Sequence, residues 1–142
     1  MHTIRQLLNN KGHKVWTVSP NASVYDAIAL MAEKEIGAVV IMEGSRVAGI
    51  LSERDYARKV ILAGRSSRDT KVSEIMTTRV YHAQPHQTVE ECMAVMTEKR
   101  IRHLPVLDNG ILIGMVSIGD LVKSIIATQQ FMITQLETYI AS

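Results

Sequence analysis

Two seven-residue stretches, GILSERD at Gly49–Asp55 and GMVSIGD at Gly114–Asp120, decide how this chain folds. Each consists of a glycine, two aliphatic residues, a serine, two variable residues and an aspartate, and each follows a hydrophobic segment. Serine is a favoured N-cap residue, and an acidic side chain in the first turn complements the helix dipole. The pattern therefore predicts a strand that ends at the serine and a helix that begins there, twice in one chain.

The two stretches are part of a longer internal repeat. The shift of 65 residues that superposes Gly49 on Gly114 aligns Val18–Ile61 with Ala83–Ile126 without a gap. The identical pairs include Pro20 and Pro85, Val24 and Val89, Met31 and Met96, Ile36 and Ile101, Ser52 and Ser117, and Asp55 and Asp120. Self-similarity held over such a length indicates a duplicated structural unit.

Each copy has the same order of predicted elements: a strand, an amphipathic helix, two strands and a second helix. The helices show apolar residues at the spacing i, i+3, i+4, i+7, and Asp-Asn-Gly in the second copy is a strong hairpin signal. The predicted strands are Lys14–Val18, Ala38–Met42 and Val47–Leu51 in the first copy, and Val80–Ala83, His103–Leu107 and Ile111–Val116 in the second. The apolar helix positions are Val24, Ala27, Ile28 and Met31, and Val89, Cys92, Met93 and Met96.

The fold class that follows is α/β (α+β), with two pseudo-symmetric repeats that each form a three-stranded sheet with two helices. A unit of this size buries little apolar surface by itself, so we expect the two to pack sheet to sheet with a cleft where they meet. We expect residues 1–71 to comprise the first repeat with an N-terminal helix (Thr3–Asn10) and a linker (Ala63–Lys71) that is a candidate mobile loop. Residues 72–142 comprise the second repeat with a helical extension (Leu121–Ile140).

Composition narrows the class of function. The chain has 142 residues, 46% of them hydrophobic, a net charge of +2 and one cysteine, Cys92, which rules out an internal disulfide framework and suits the cytoplasm. A membrane span would need about 18 uninterrupted apolar residues, and none is present. The basic residues between Arg54 and Lys71 have only Tyr56 as an aromatic neighbour, which argues against a nucleic-acid surface. Because no nucleophile–base pair or metal-ligand set occurs, we predict no enzymatic activity, no catalytic cofactor and no metal site.

The repeated Ser-x-x-Asp has two interpretations. As a structural element it is a helix cap, which accounts for both copies. As a functional element it presents free amides and a positive dipole to a phosphate, with a serine hydroxyl beside them. The aspartate one turn on can accept hydrogen bonds from a ribose diol, as acidic residues do in dinucleotide-binding folds. The two interpretations do not exclude each other.

The doubled Gly-x-x-Ser-x-x-Asp, together with IRHLPVL at Ile101–Leu107, resembles the tandem CBS-domain family, in which a pair of repeats is called a Bateman module. The resemblance covers roughly residues 12–127. It implies a flat pair of repeats with two clefts that bind adenine nucleotides, each cleft taking its ribose-binding aspartate from one repeat and its adenine-contacting strands from the other. It also implies a homodimer. The stretch SERDYARKV and the LETYI tail are similar to a stand-alone subgroup associated with AMP or with NAD(H).

Carried over by position, the resemblance assigns two sets of ligand-binding residues. One set consists of Ser117 and Asp120 with Val15, Trp16, Ile36, Gly37 and Ala38. The other set consists of Ser52, Arg54 and Asp55 with Val80, Tyr81, Ile101, Arg102 and His103. Because Arg102-His103 stands where the other repeat has Gly37-Ala38, we expect the two clefts to differ, with the Arg102 side better suited to charge.

The resemblance implies a regulatory sensor for an adenine nucleotide that acts on an unidentified protein target by a ligand-linked change in repeat or dimer geometry. Two alternatives are a scaffold or dimerisation module that binds no ligand, and an accessory regulator of a redox enzyme.

Overall fold

The computed structural model describes residues 2–141, and the predicted order of elements is present in both repeats except for the first strand of the second. In chain order the elements are α1 (Ile4–Lys11), β1 (Thr17–Val18), α2 (Val24–Lys34), β2 (Ala38–Glu43), β3 (Arg46–Ser52), α3 (Glu53–Tyr56), a π-helical turn (Ala57–Ile61), α4 (Val72–Ile75), α5 (Val89–Lys99), β4 (His103–Asp108), β5 (Ile111–Ser117) and α6 (Ile118–Ala141). The mixed α/β class is therefore confirmed. None of these helices is long and apolar enough to cross a membrane.

The amphipathic helices bury the residues that their spacing predicts. In α2, Val24, Ala27 and Met31 are buried, and in α5, Val89, Cys92 and Met96 are buried. Ser23 and Thr88 cap these helices, each accepting a hydrogen bond from the amide three residues on. Sequence periodicity and caps thus determine which face of each helix enters the core.

The first repeat forms the expected three-stranded sheet, in the order β1-β2-β3. β1 runs parallel to β2, with Thr17 opposite Val40 and Val18 opposite Ile41, and β2 runs antiparallel to β3. Four consecutive residues of β2, Ala38–Ile41, are buried. Strand β2 is therefore the central strand of this sheet, and its upstream end lies beside the start of α3.

The second repeat departs from the prediction of three strands, because β4 and β5 form a two-stranded sheet. The counterpart of β1 is reduced to one parallel bridge, between Ala83 and Val106. Pro105 occupies the place of Val40, whose amide donates to the first strand in the other repeat. Since proline has no amide hydrogen, that ladder bond is lost and the strand is shortened.

The chain folds into two compact units whose boundaries differ from those of the sequence repeats. The first unit contains residues 14–81 and 109–112, and the second contains residues 2–13, 82–108 and 113–141. Helix α1, expected with the first repeat in residues 1–71, therefore belongs to the second unit, and α4, expected with the second repeat, belongs to the first. Backbone hydrogen bonds fix this exchange: the Ile4 amide donates to the Gln87 carbonyl at 2.8 Å, and the Val72 amide donates to the Ala22 carbonyl at 2.9 Å.

The linker Ala63–Lys71 is held onto α2 by several contacts. The Val24 amide donates to the Thr70 carbonyl at 2.8 Å, and the Arg68 guanidinium lies 3.8 Å from the centre of the Tyr25 ring. Thr70 is itself buried. This segment therefore packs as part of the first unit, and its mobility stays a prediction.

Candidate functional site

Both Ser-x-x-Asp turns are complete capping boxes. At the second turn the Ser117 amide donates to Asp120 Oδ2 at 2.9 Å, and the Asp120 amide donates to Ser117 Oγ at 3.1 Å. At the first, the Ser52 amide donates to Asp55 Oδ2 at 3.0 Å, and the Asp55 amide donates to Ser52 Oγ at 3.2 Å. The structural interpretation of the motif is thus realised at both sites, and both carboxylates are held in a fixed orientation.

Each turn lies against the upstream end of a strand of its own unit, β4 for the Ser117 turn and β2 for the Ser52 turn. The Ile118 amide donates to the Arg102 carbonyl at 2.8 Å, and the Glu53 amide donates to the Gly37 carbonyl at 3.1 Å. The structure therefore brings Ser117 and Asp120 together with the Ile101–His103 segment within one unit. It likewise brings Ser52 and Asp55 together with the Ile36–Ala38 segment. The predicted sets paired these residues the other way, across the repeats, and that pairing stays a prediction.

The remaining predicted residues lie in the first unit. The Trp16 carbonyl accepts from the Val40 amide, and the Trp16 ring has the ammonium groups of Lys14 and Lys34 at 4.6 and 4.4 Å from its centre. Val15, Val80 and Tyr81 are partly buried, whereas Arg54 is exposed. The indole of Trp16 is thus in cation–π contact with two lysines.

The Asp120 carboxylate has a cationic partner that the sequence analysis did not identify. Lys11, at the end of α1, places its Nζ 2.5 Å from Asp120 Oδ2 and 2.6 Å from the Met115 carbonyl oxygen. Burial by itself would raise the pKa of Asp120, but the hydrogen bonds and charge of Lys11 and the hydrogen bonds of Ser117 outweigh it and lower this pKa. Asp120 is therefore a carboxylate at neutral pH.

The Asp55 carboxylate has different partners. The Thr77 hydroxyl donates to it, at 3.3 Å from Oδ1 and 3.4 Å from Oδ2, and Lys59 Nζ lies 3.4 Å from Oδ1. Lys59 follows Asp55 by one helical turn in the same segment. The two turns have the same backbone design but different immediate chemistry: a cation from a distant helix at Asp120, and a hydroxyl with a neighbouring cation at Asp55.

The glycine that begins each motif allows the segments that carry Lys11 and Thr77 to pack closely against the strand. A Cβ on Gly114 would lie 2.7 Å from Leu8 Cδ2 of α1, and a Cβ on Gly49 would lie 2.7 Å from Met76 Sδ and 2.9 Å from the Thr77 carbonyl oxygen. All three distances are far below van der Waals contact. Gly114 therefore leaves room for α1, which carries Lys11, the partner of Asp120. Gly49 leaves room for the segment after α4, which carries Thr77, the partner of Asp55.

The sequence analysis missed Lys11 and Thr77 because both lie outside the aligned stretches Val18–Ile61 and Ala83–Ile126. It treated Lys59 only as one of the basic residues between Arg54 and Lys71. The bridges Thr3–Thr88 and Lys71–Ser23 show that α1 and α4 occupy equivalent places in the two units. The distance along the chain from this helix to the following strand differs between the repeats, so a gapless shift does not align the helices. The repeated glycine was the available signal, since it indicates close approach of another segment.

His103, the first residue of β4, is a titratable group that feels the charge of Asp120. Its side chain is partly buried, and burial lowers its pKa, with the positive charges of Lys11 and Arg102 acting in the same direction and Asp120 opposing them. Two permanent cations and one carboxylate thus surround a neutral imidazole. This arrangement has an excess of positive charge and is suited to an anion.

The other reactive residue types form no second site in the part of the chain that is described. Residues 2–141 contain no group of three or more histidine, cysteine, aspartate and glutamate side chains able to hold a metal ion. His82 and His86 are exposed outside helices and strands. Cys92 is buried, and burial raises the pKa of its thiol to about 11, so the thiolate that reacts with electrophiles is scarce at neutral pH.

Comparison with known proteins gives the same family for both repeats. The family model for the CBS domain matches residues 6–61 and 72–127. The mitochondrial CBS domain-containing protein CBSX3 of Arabidopsis thaliana is 38% identical over 148 residues, covering 97% of this chain and 71% of that protein.

Solved structures share the fold over most of the chain. A signal-transduction protein with CBS domains from Burkholderia ambifaria is 57% identical, with a TM-score of 0.87 over 90% of this chain and 96% of that one. The CBS domain protein PAE2072 of Pyrobaculum aerophilum, solved in complex with AMP, has a TM-score of 0.75 at 22% identity, over 84% of this chain and 89% of that one. The chain described here therefore belongs to the CBS-domain family, as a tandem pair of CBS repeats.

Proposed function

We propose that this protein is a regulatory module that binds an adenine nucleotide at its Ser-x-x-Asp turns. The observation that carries the proposal is the fixed carboxylate of Asp120, ionised and partly exposed at the start of a long helix. Such a carboxylate accepts hydrogen bonds from the two hydroxyls of a ribose. The positive end of the helix dipole favours a phosphate that is attached to the same ribose. The AMP complex of PAE2072, a protein of the same fold, supports this choice of ligand class.

Between the two turns, the Asp120 turn is the better candidate for an anionic ligand. Lys11 contacts Asp120 there from a helix far away in the chain, its charge and that of Arg102 both act on the neighbouring His103, and α6 continues for 24 residues. Helix α3, by contrast, passes after four residues into a π-helical turn. The Asp55 turn, with Ser52 and Arg54, is proposed as the second site, for the same nucleotide or for the other half of a dinucleotide such as NAD(H).

Regulation would follow from linkage between ligand binding and conformation. A ligand that prefers one arrangement of the protein biases it by its differential affinity. At a concentration 100 times its dissociation constant, a ligand stabilises the bound state by about 2.7 kcal/mol, which is enough to shift a nearly balanced equilibrium. The output is an unidentified protein target, and no catalytic step is required of this chain. The single, buried cysteine favours a reducing compartment such as the cytoplasm.

We also propose that the protein is a homodimer that uses α6. From Phe131 to Ile140 this helix exposes five large apolar side chains and Tyr139, and Glu137 is the only charged residue between Ser124 and Ala141. A helix with this composition is poorly suited to face water on all sides. The same helix of a second copy offers a matching uncharged apolar surface, and charged partners or lipid headgroups find no complementary charge.

A second candidate function is that of a scaffold without a ligand. One observation favours it: both motifs are complete capping boxes, so their conformation needs no ligand. On that view Ser52, Asp55, Ser117 and Asp120 serve stability alone.

The experiment that separates the two functions is a thermal-shift panel on ligand-stripped protein with AMP, ADP, ATP, NAD, NADH and S-adenosylmethionine, repeated with the Asp120→Asn and Asp55→Asn variants. Loss of the diol hydrogen bonds at a charged acceptor should weaken binding about tenfold to a hundredfold. Asp26→Asn, at the corresponding place in the Ser23 cap of α2, is the matched control. No shift with any ligand in folded, empty protein would leave the scaffold as the function.

A further inference from the structure

Lys11 occupies a position that a purely structural account of the Asp120 turn does not require. The capping box there is complete with Ser117 and Asp120 alone. The corresponding box of Ser52 and Asp55 is likewise complete without a cation from a distant segment. Lys11 comes from α1, more than a hundred residues away in the chain, and its ammonium group still contacts the carboxylate oxygen that Ser117 binds. Its side chain is 35% exposed, so Lys11 is not sealed in the core.

Helix α1 holds Lys11 in this position firmly. Ile4 and Leu8 are completely buried, and the Arg5 side chain is paired with Asp108 at 3.2 Å. The Leu8 side chain fills the space that Gly114 leaves open on β5. A cation on a rigid element loses little freedom when a ligand binds, which favours a specific contact.

We infer that Lys11 is a phosphate-binding residue and that it makes the Asp120 turn selective for ribonucleotides over neutral ribonucleosides. The inference rests on the proposed function, because it takes the ribose to lie on Asp120. A phosphate carried by that ribose is then close to the Lys11 ammonium, which can pass from the carboxylate to the phosphate as the hydroxyls take its place. Arg102, the residue before β4, adds positive charge around the neighbouring His103.

The selectivity has a definite form. In the protein without ligand, Lys11 contacts Asp120, and a ribose that binds this carboxylate must displace the ammonium group. This displacement lowers the affinity for every ligand with a ribose by the same factor. Only a ligand with a phosphate recovers that cost through a new ion pair. Removal of Lys11 should therefore weaken AMP binding while leaving adenosine binding unchanged or slightly stronger, and a helix-stapling role of Lys11 would not change the ratio of the two affinities.

The test is calorimetric titration of AMP and adenosine into protein that carries Asp55→Asn, which leaves the Asp120 turn as the site observed. We expect Lys11→Gln to lower the ratio of adenosine to AMP dissociation constants about tenfold, the value of one charged hydrogen bond. Lys11→Arg should retain most of the ratio, because it keeps the charge. Lys59→Gln, which removes the cation beside residue 55, is the matched control and should leave the ratio unchanged.

A measurement on the unmodified chain does not depend on whether the variants fold. Acetylation of lysines with an activated ester, followed by mass spectrometry, should show Lys11 protected severalfold by AMP but not by adenosine, with the exposed Lys123 as reference. An unchanged affinity ratio in Lys11→Gln, equal loss of both ligands, or equal protection by both would overturn the inference while leaving the proposed function intact. Failure of the parent protein to bind AMP, adenosine or any other ligand of the thermal-shift panel would instead overturn the proposed function, and this inference with it.

Discussion

Asp55 and Asp120 show how two identical residues in identical turns acquire different properties. Each accepts a hydrogen bond from the amide of its motif serine, and each is partly buried. The groups that complete their surroundings come from segments outside the motif: Thr77 at Asp55 and Lys11 at Asp120. The chemistry of each site is thus set by its neighbours in space.

His103 should make stability depend on pH in this protein. Its pKa in the folded state is lowered by burial and by Lys11, whereas the unfolded value is about 6.5. The unfolded chain therefore binds the proton more readily, and stability falls as the pH drops from about 6.5 toward the lower folded pKa. We expect the free energy of unfolding, measured by urea denaturation, to decrease between pH 7.5 and pH 5.5.

The His103→Gln variant isolates this contribution, because the other four histidines remain. Its free energy of unfolding should decrease less over the same pH interval than that of the unmodified protein. An equal or larger decrease in the variant would show that His103 is not the group responsible.

At the scale of elements, the decisive contact is the close approach of α1 to β5. Leu8 of α1 is completely buried, and it lies over Gly114, where the backbone has no side chain. The equivalent contact in the other unit joins Met76 and Gly49. One residue type, repeated at the same place in both motifs, therefore permits two different segments to pack on two strands.

Gly114→Ala should destabilise the protein by about 1–3 kcal/mol, the usual cost of overpacking a core, because the added methyl group would meet Leu8 at 2.7 Å. Gly119→Ala is the control: its Cβ would meet only Ser117 Oγ, at 3.6 Å, and a glycine-to-alanine change in a helix should be stabilising by up to about 1 kcal/mol.

A double-mutant cycle ties this effect to α1. Since Leu8→Ala removes the side chain that the new methyl group meets, the combined variant should be less destabilised than the sum of the two single changes. Additive effects in urea denaturation would show that Leu8 is not the source of the strain.

At the scale of the whole molecule, the apolar surface of α6 is the feature that two compact units do not account for. Phe131 and Leu136 are 64% and 58% exposed in a single chain. If α6 joins two copies, changing both residues to lysine should convert the dimer into a monomer, because buried aromatic and aliphatic anchors provide most of an interface's energy. Light scattering after size exclusion should show the mass fall to that of one 15.8 kDa chain.

The matched control places two lysines at Gln130 and Gln135, polar residues of the same two turns. This variant should keep the dimer mass, and the melting temperature of each unit should change little in either variant. A monomeric parent protein, or a dimer that persists with lysine at both apolar positions, would contradict this role of α6.

The sequence by itself determined the fold class, the duplication and nearly every helix and strand of the described chain. These features depend on local signals: the spacing of Val24, Ala27 and Met31, the N-cap serines, and a repeat register that needs no gap. Even the loss of the first strand in the second repeat has a local cause in Pro105.

Only the tertiary structure decided which helix packs on which repeat, and therefore which groups surround each aspartate. Lys11 is brought to Asp120 across most of the chain by the exchange of α1, and Thr77 is brought to Asp55 by the segment after α4. No periodicity encodes such contacts, because they arise where buried apolar surfaces such as that of Leu8 find a glycine to pack against. The two turns could be predicted from the sequence, whereas the charges around them follow from packing between segments far apart in the chain.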